Sequence, residues 1–109
     1  MKGWIGVDLD GTLAFYDGWK GEEHIGEPIP LMMERVRQWI DEGQVVKIFT
    51  ARACVDSQVK FVYDWLKKHD LEGVEVTNVK DFGMIALWDD RCVTVQANTG
   101  ISLVKDGKP

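Results

Sequence analysis

The architecture of this chain follows first from the sequence WIGVDLDG at residues 4–11. Its apolar half is short, and two carboxylates and a glycine stop it abruptly, which is typical of a buried strand that ends at a polar edge. Because Asp8 and Asp10 are two positions apart, their side chains would leave an extended backbone on the same face. Gly11 allows a sharp turn directly after them. The sequence therefore predicts a first strand that delivers two acidic groups to one edge of a sheet.

Apolar runs and helical spacings alternate along the rest of the chain. Helices are predicted from the prolines at 28 and 30 to Gly43, and from position 56 or 57 to about residues 69–73, because apolar residues recur there at helical spacing. Short apolar runs predict further strands at residues 45–49, 74–76, 85–88 and 92–95. Such alternation implies right-handed crossovers. We therefore predict a three-layer, Rossmann-like α/β fold with a mostly parallel sheet of five strands.

The length of 109 residues leaves room for one domain. We expect it to span residues 1–97, with a short flap at about residues 12–27 and a polar tail over residues 98–109. Glycines interrupt the flap, so it is expected to be a loop or a small hairpin. Its ring-bearing side chains either contact the substrate or cover the edge of the sheet: Phe15, Tyr16, Trp19 and His24.

Composition excludes several classes of protein. Thirteen basic and eighteen acidic residues give a formal charge of -5, which disfavours nucleic acid as a partner. No apolar run approaches the roughly 18 residues of a membrane span, and carboxylates lie where a signal peptide needs apolar residues, so we expect a cytoplasmic protein without a membrane partner. Cys54 and Cys92 form neither a disulfide scaffold nor a zinc-binding pair, and we expect them to be buried thiols.

Polar residues follow several of the predicted strands, whose carboxyl ends meet at the edge where α/β sheets bind ligands. The residues concerned are Asp8 with Asp10, Thr50, Lys80, and Asp89 with Asp90. Close carboxylates repel one another unless a cation lies between them, and oxygen donors suit Mg²⁺. The four acids therefore predict a Mg²⁺ site. Arg52 either binds a phosphate or leaving group with its forked guanidinium or is an exposed loop arginine.

Four segments resemble motifs of the haloacid dehalogenase superfamily. The sequence VDLDGTL at residues 7–13 resembles the first motif, and IFT at residues 48–50 resembles the second. Lys80 corresponds to the lysine of the third motif, and LWDD at residues 87–90 resembles the fourth. Neither of the usual insertion points has room for a cap domain. The chain therefore resembles the capless branch, and within it the short phage and bacterial forms.

This resemblance implies a Mg²⁺-dependent phosphatase that works through an aspartyl-phosphate intermediate. Asp8 would be the nucleophile, and Asp10 would protonate the leaving alcohol and then accept a proton from the hydrolytic water. Thr50 and Lys80 would bind the phosphoryl group, while Asp89 and Asp90 would hold the metal, with either one binding directly and the other directly or through a water. We therefore expect hydrolysis of a small phosphomonoester. The cation and the lysine suit this reaction, since positioning and charge stabilisation dominate phosphoryl transfer.

Two other functions stay open at this point. One is a polynucleotide end phosphatase, which the acidic composition without clustered arginines disfavours. The other is a non-catalytic module that binds Mg²⁺ and phosphate for regulation. Asp10 favours the enzyme, because simple binding has no use for a second acid at that position.

Overall fold

In the computed structural model, which describes residues 3–103, a parallel sheet of four strands packs against two α-helices. The strands are β1 (Trp4–Val7), β2 (Val45–Phe49), β3 (Glu75–Thr77) and β4 (Met84–Trp88), and the helices are α1 (Pro30–Asp41) and α2 (Asp56–Lys68). The strand order is β3-β2-β1-β4, and every pairing is parallel. The predicted α/β, Rossmann-like alternation with a parallel sheet is confirmed.

The register brings the ends of the central strands to the same level. Val7 of β1 lies beside Ile48 of β2 on one side and beside Trp88 of β4 on the other. The residues that follow these strands therefore leave the sheet together. Asp8 and Asp89 are the next residues after β1 and β4, so the register alone places two of the predicted site acids side by side.

The predicted fifth strand at residues 92–95 is wrong, because the sheet formed by residues 3–103 has four strands. A strand parallel to β4 would need a crossover of about a dozen residues. Only the three residues 89–91 lie between β4 and this run. The run instead pairs locally: Val95 and Ser102 form an antiparallel bridge, and the Leu103 amide donates to the Thr94 carbonyl at 2.7 Å. Part of the predicted tail thus folds back on itself, and residues 104–109 lie outside the described part.

Within residues 3–103 the helices and the core occupy one face of the sheet, so the predicted three layers are two. The core joins Val7 and Ile48 to helix residues such as Val36, Val62 and Leu66. Right-handed crossovers from β1 to β2 and from β2 to β3 proceed in the same direction along the sheet, which puts both helices on the same face. The connection from β3 to β4 spans only residues 78–83 and contains no helix.

The opposite face is covered by side chains rather than by a helix. Trp4 is buried there, with its Nε1 donating to Asp81 at 2.9 Å and the Lys47 ammonium 4.7 Å from its ring centre. Lys47 also pairs with Glu75 at 3.5 Å. Lys47 is therefore committed to this face, away from the acids that follow β1 and β4.

The connection from β2 to α2 contains a short helix that the sequence did not predict. Residues Ala51–Cys54 form a single turn of 3-10 helix directly after β2. The flap closes on itself through the Phe15 amide, which donates to the Glu27 carbonyl at 2.8 Å, and it is tied to α2 by the Trp65 Nε1, which donates to the Gly26 carbonyl at 3.0 Å. Cys54 and Cys92 are both exposed, so the expectation of buried thiols is wrong. Neither helix in the described part of the chain is long and apolar enough to cross a membrane.

Candidate active site

A cavity of about 430 Å³ lies at the carboxyl ends of the strands. The chain runs from β1 to β2 and β3 on one side of the sheet and then returns to place β4 on the other side. Ligands of open α/β sheets bind where the strand order reverses in this way. The predicted site residues that line the cavity are Asp8, Asp10, Thr50, Arg52, Asp89 and Asp90.

Three carboxylates converge inside this cavity. One oxygen from each of Asp8, Asp89 and Asp90 lies within 4.8 Å of the other two. Such a set of hard oxygen donors fits Mg²⁺, which takes one or two carboxylates and fills its remaining positions with water or phosphate oxygens. The backbone amide of Arg91 donates to Asp89 at 2.7 Å, which orients that carboxylate.

The turn after β1 is built around Asp90. Gly11 has a φ of +94°, and a β-carbon there would lie 2.5 Å from a carboxylate oxygen of Asp90. The Thr12 hydroxyl accepts from the Asp90 amide at 3.1 Å and donates to Asp8 at 3.3 Å. The end of β4, at Asp90, thus packs directly on the turn formed by Gly11 and Thr12. This close packing requires a residue without a side chain at position 11 and is stabilised by the hydroxyl at position 12. This role of Thr12 could not be predicted from the sequence, because it depends on the packing of β4 beside β1.

The environment of Asp8 disfavours its charged form. Burial raises the pKa of Asp8 from 3.8 to about 7, helped by the negative charges of Asp89 and Asp90 and opposed by the hydrogen bond from Thr12. A divalent cation among these oxygens would reverse the effect of the neighbouring charges. The cluster is thus electrostatically unfavourable alone and suited to a cation.

Asp10 faces a different partner. Its two oxygens accept hydrogen bonds from Nε and Nη2 of Arg52 at 2.7 and 3.0 Å. Asp10 therefore lies outside the cluster of three carboxylates, although the sequence predicts it as a fourth metal ligand. Planar, two-pronged pairing of this kind holds a carboxylate in one orientation. Asp10 is consequently fixed within the cavity without contributing to the convergent oxygens.

Arg52 is 5% exposed, so the alternative of an exposed loop arginine is wrong. Besides Asp10, its guanidinium donates to the carbonyls of Glu22 and His24, each at 2.9 Å. It also lies 4.9 Å from the ring centre of Trp19. Arg52 therefore connects the flap to the edge of the sheet where the carboxylates lie, and its hydrogen bonds are made to Asp10 and to flap carbonyls.

Thr50 and Lys80 occupy different positions. Thr50 is buried at the end of β2, and its hydroxyl accepts from the Arg52 amide at 3.2 Å, which begins the 3-10 turn. Lys80 is exposed on the loop between β3 and β4 and does not line the cavity. The structure therefore does not bring Lys80 into the cavity that the carboxylates line, although the sequence predicts it as a phosphate-binding residue.

The flap contributes aromatic side chains to the same cavity. Tyr16 and Trp19 line it and remain 39% and 56% exposed. Phe15, also 56% exposed, does not line it, and His24 contributes its carbonyl to Arg52. Gln58 of α2 lines the cavity as well, and nothing in its sequence context predicted this.

Comparison with known proteins gives one informative result. No protein-family model and no curated protein matches the chain. A solved structure of a conserved protein from Bacteroides thetaiotaomicron is similar, with a TM-score of 0.67 and 21% sequence identity. The similarity covers 85% of this chain and 79% of that chain. At this identity the likeness supports the fold and carries no information about activity.

Proposed function

We propose that this chain is a Mg²⁺-dependent phosphomonoester hydrolase of the haloacid dehalogenase type. The observation that carries the proposal is the convergence of Asp8, Asp89 and Asp90 at the point where the strand order reverses, with Asp10 held in the same cavity. Asp8, Asp89 and Asp90 would hold the metal. A bound Mg²⁺ supplies neutralisation of the charge on the phosphoryl oxygens.

The first chemical step belongs to Asp8. Its carboxylate attacks phosphorus, a bond forms between the Asp8 oxygen and phosphorus, and the bond from phosphorus to the leaving alcohol breaks. Asp10 enters this step protonated and donates that proton to the departing oxygen, so that it becomes the carboxylate that pairs with Arg52. The Thr50 hydroxyl supports this step. Its oxygen accepts from the Arg52 amide, which leaves its hydrogen to donate to a phosphoryl oxygen.

The second step returns the enzyme to its starting state. Water attacks the phosphorus of the aspartyl-phosphate, Asp10 accepts the proton of that water, and the bond to Asp8 breaks to release phosphate. The pairing with Arg52 suits this half of the cycle, since both oxygens of Asp10 accept hydrogen bonds as a carboxylate does. Lys80 would contribute positive charge near the phosphoryl group.

The first test is a panel of phosphomonoesters assayed with Mg²⁺ and with a chelator in its place. We expect phosphate release with Mg²⁺ and a loss of at least about a hundredfold on chelation, because the cation neutralises charge in the transition state. Restoring Mg²⁺ should restore the rate. Failure to hydrolyse any ester under these conditions would contradict the proposal and favour a non-catalytic module that binds Mg²⁺ and phosphate.

The metal site has its own test, which needs no substrate. Asp89→Asn and Asp90→Asn are each expected to weaken Mg²⁺ binding at least about tenfold, because each removes a negative charge from the converging oxygens. Calorimetric titration would measure the binding. Asp64→Asn is the matched control, since it removes one exposed carboxylate from α2. Equal weakening in all three variants would mean that Mg²⁺ responds to net charge rather than to this cluster.

A further inference from the structure

The cavity extends from the carboxylates to an aromatic surface. Tyr16 and Trp19, both in the flap, line the same cavity as Asp8, Asp89 and Asp90. More than half of the Trp19 side chain is exposed in the free protein. Large exposed aromatic groups beside a cavity are typical of ligand sites, in which apolar walls surround a few polar groups.

Trp19 is held in place before any ligand arrives. The Arg52 guanidinium lies 4.9 Å from the centre of its ring, so one face of the indole is already in contact with a buried cation. Arg52 is itself fixed by Asp10 and by two carbonyls of the flap. Exposure of the indole is thus confined to its other face and its edges. This arrangement favours a flat ring stacked on the free face.

The charges in the cavity limit the number of phosphate groups. Four carboxylates and two guanidinium groups line it, so that one divalent cation brings the formal charge to zero. Each further phosphate of a di- or triphosphate would add negative charge to a cavity whose lining, within residues 3–103, has no cationic side chain beyond Arg52 and Arg91, so the smaller charge of a monophosphate is favoured. The cavity of about 430 Å³ falls within the range of about 300–1,000 Å³ typical of small-molecule sites.

Building on the proposed function, we propose that the substrate is a small monophosphate ester that carries an aromatic ring, of the nucleoside 5′-monophosphate class. The ring stacks on Trp19, and the phosphate binds at the carboxylate cluster. An alcohol-linked ester is favoured over an aryl ester, because the proton from Asp10 is needed when an alkoxide would otherwise depart. The bond from phosphorus to the ribose oxygen breaks, and the products are a nucleoside and inorganic phosphate.

The experiment compares kcat/KM for adenosine 5′-monophosphate, ribose 5-phosphate, phenyl phosphate and acetyl phosphate. We expect the nucleotide to exceed ribose 5-phosphate by roughly tenfold or more, because stacking of a base on an aromatic side chain has an effect of that size. Trp19→Ala should lower the ratio of nucleotide to acetyl phosphate by about the same factor, chiefly through KM. Trp19→Phe should retain most of the ratio. Phe15→Ala, which removes an equally exposed flap aromatic outside the cavity, should leave all rates unchanged.

Several results would overturn the inference. Equal rates for the nucleotide and ribose 5-phosphate, or a uniform loss over all substrates in Trp19→Ala, would remove the stacking role. A preference for phenyl phosphate would overturn the alcohol-linked class, and faster hydrolysis of a 5′-phosphorylated oligonucleotide would overturn the small substrate. If not even acetyl phosphate is hydrolysed, the proposed function fails. In that case the inference is tested by binding alone. Fluorescence titration of the Mg²⁺-loaded protein would compare its affinity for adenosine 5′-monophosphate with its affinity for ribose 5-phosphate.

Discussion

Replacing Asp8 by asparagine is expected to lower phosphate release from every phosphomonoester at least about a thousandfold, because the proposed covalent step loses its nucleophile. The same substitution should stabilise the metal-free protein. Burial and two neighbouring carboxylates raise the pKa of Asp8 to about 7, so a neutral amide relieves an unfavourable charge at neutral pH. Activity assays and thermal unfolding on the same preparations would measure both effects.

The size and the pH dependence of the stabilisation follow from that pKa. Each pKa unit corresponds to about 1.4 kcal/mol, and screening at a partly exposed site reduces the total to about 1–2 kcal/mol. Between pH 3.8 and about 7 the unfolded chain has released the Asp8 proton while the folded chain retains it, so metal-free wild type loses stability relative to Asp8→Asn as pH rises. Below pH 3.8 the difference should vanish. Added Mg²⁺ should stabilise wild type more than the variant.

Asp64→Asn serves as the matched control, because it neutralises an exposed carboxylate on α2 and should change neither activity nor the pH dependence. An Asp8→Asn protein that retains a tenth or more of wild-type activity would exclude Asp8 as the nucleophile. A variant that is less stable than metal-free wild type at pH 7 would show that the three carboxylates do not repel one another as the cluster implies.

Replacing Arg52 by methionine is expected to lower the free energy of unfolding by about 2–4 kcal/mol and to reduce kcat/KM at least about tenfold. Removal of the guanidinium leaves the Asp10 carboxylate, whose side chain is 21% exposed, without its two-pronged partner. It also leaves two flap carbonyls without their donor. For a domain of this size the melting temperature should fall by roughly 10 °C or more.

A double-mutant cycle with Asp10→Asn separates the ion pair from general loss of packing. The double variant should be more stable than the sum of the single effects predicts, by about 1 kcal/mol or more, because the orphaned carboxylate is then neutral. The control variant is Arg37→Met. Like Arg52, Arg37 donates to a backbone carbonyl, that of His69, but unlike Arg52 it is exposed. Additive effects of the Arg52 and Asp10 substitutions would mean that the pair does not couple the flap to the site.

The central strands were predictable from local pattern. Residues 4–7 and 45–49 are short apolar runs bounded by polar or glycine residues, and both strands are found at the predicted positions. The strand at Glu75–Thr77 is shifted by one residue from the predicted 74–76, and the strand at Met84–Trp88 begins one residue before the predicted 85–88. The convergence of Asp8 with Asp89 and Asp90 was predictable too, because parallel strands deliver their carboxyl ends to one edge.

Other features could not be predicted because they depend on contacts between distant segments. The sequence places Arg52 in a loop after Thr50, yet the side chain is buried against Asp10, which is 42 positions away in the chain. The run at residues 92–95 has the composition of a strand but lacks a crossover long enough to reach the sheet in parallel. Exposure of Cys54 and Cys92 likewise depends on which surfaces the neighbouring loops leave open.

Local pattern was thus sufficient for the alternating α/β class and for the acidic strand ends, since both reflect spacing along a short length of chain. The packed fold was needed to separate the acids into a cluster of three and a fourth paired with Arg52. It was also needed to bring the flap aromatics to the same cavity. The physical reason is that a carboxylate's partner is set by what lies within a few ångströms in space, and that neighbour comes from elsewhere in the sequence.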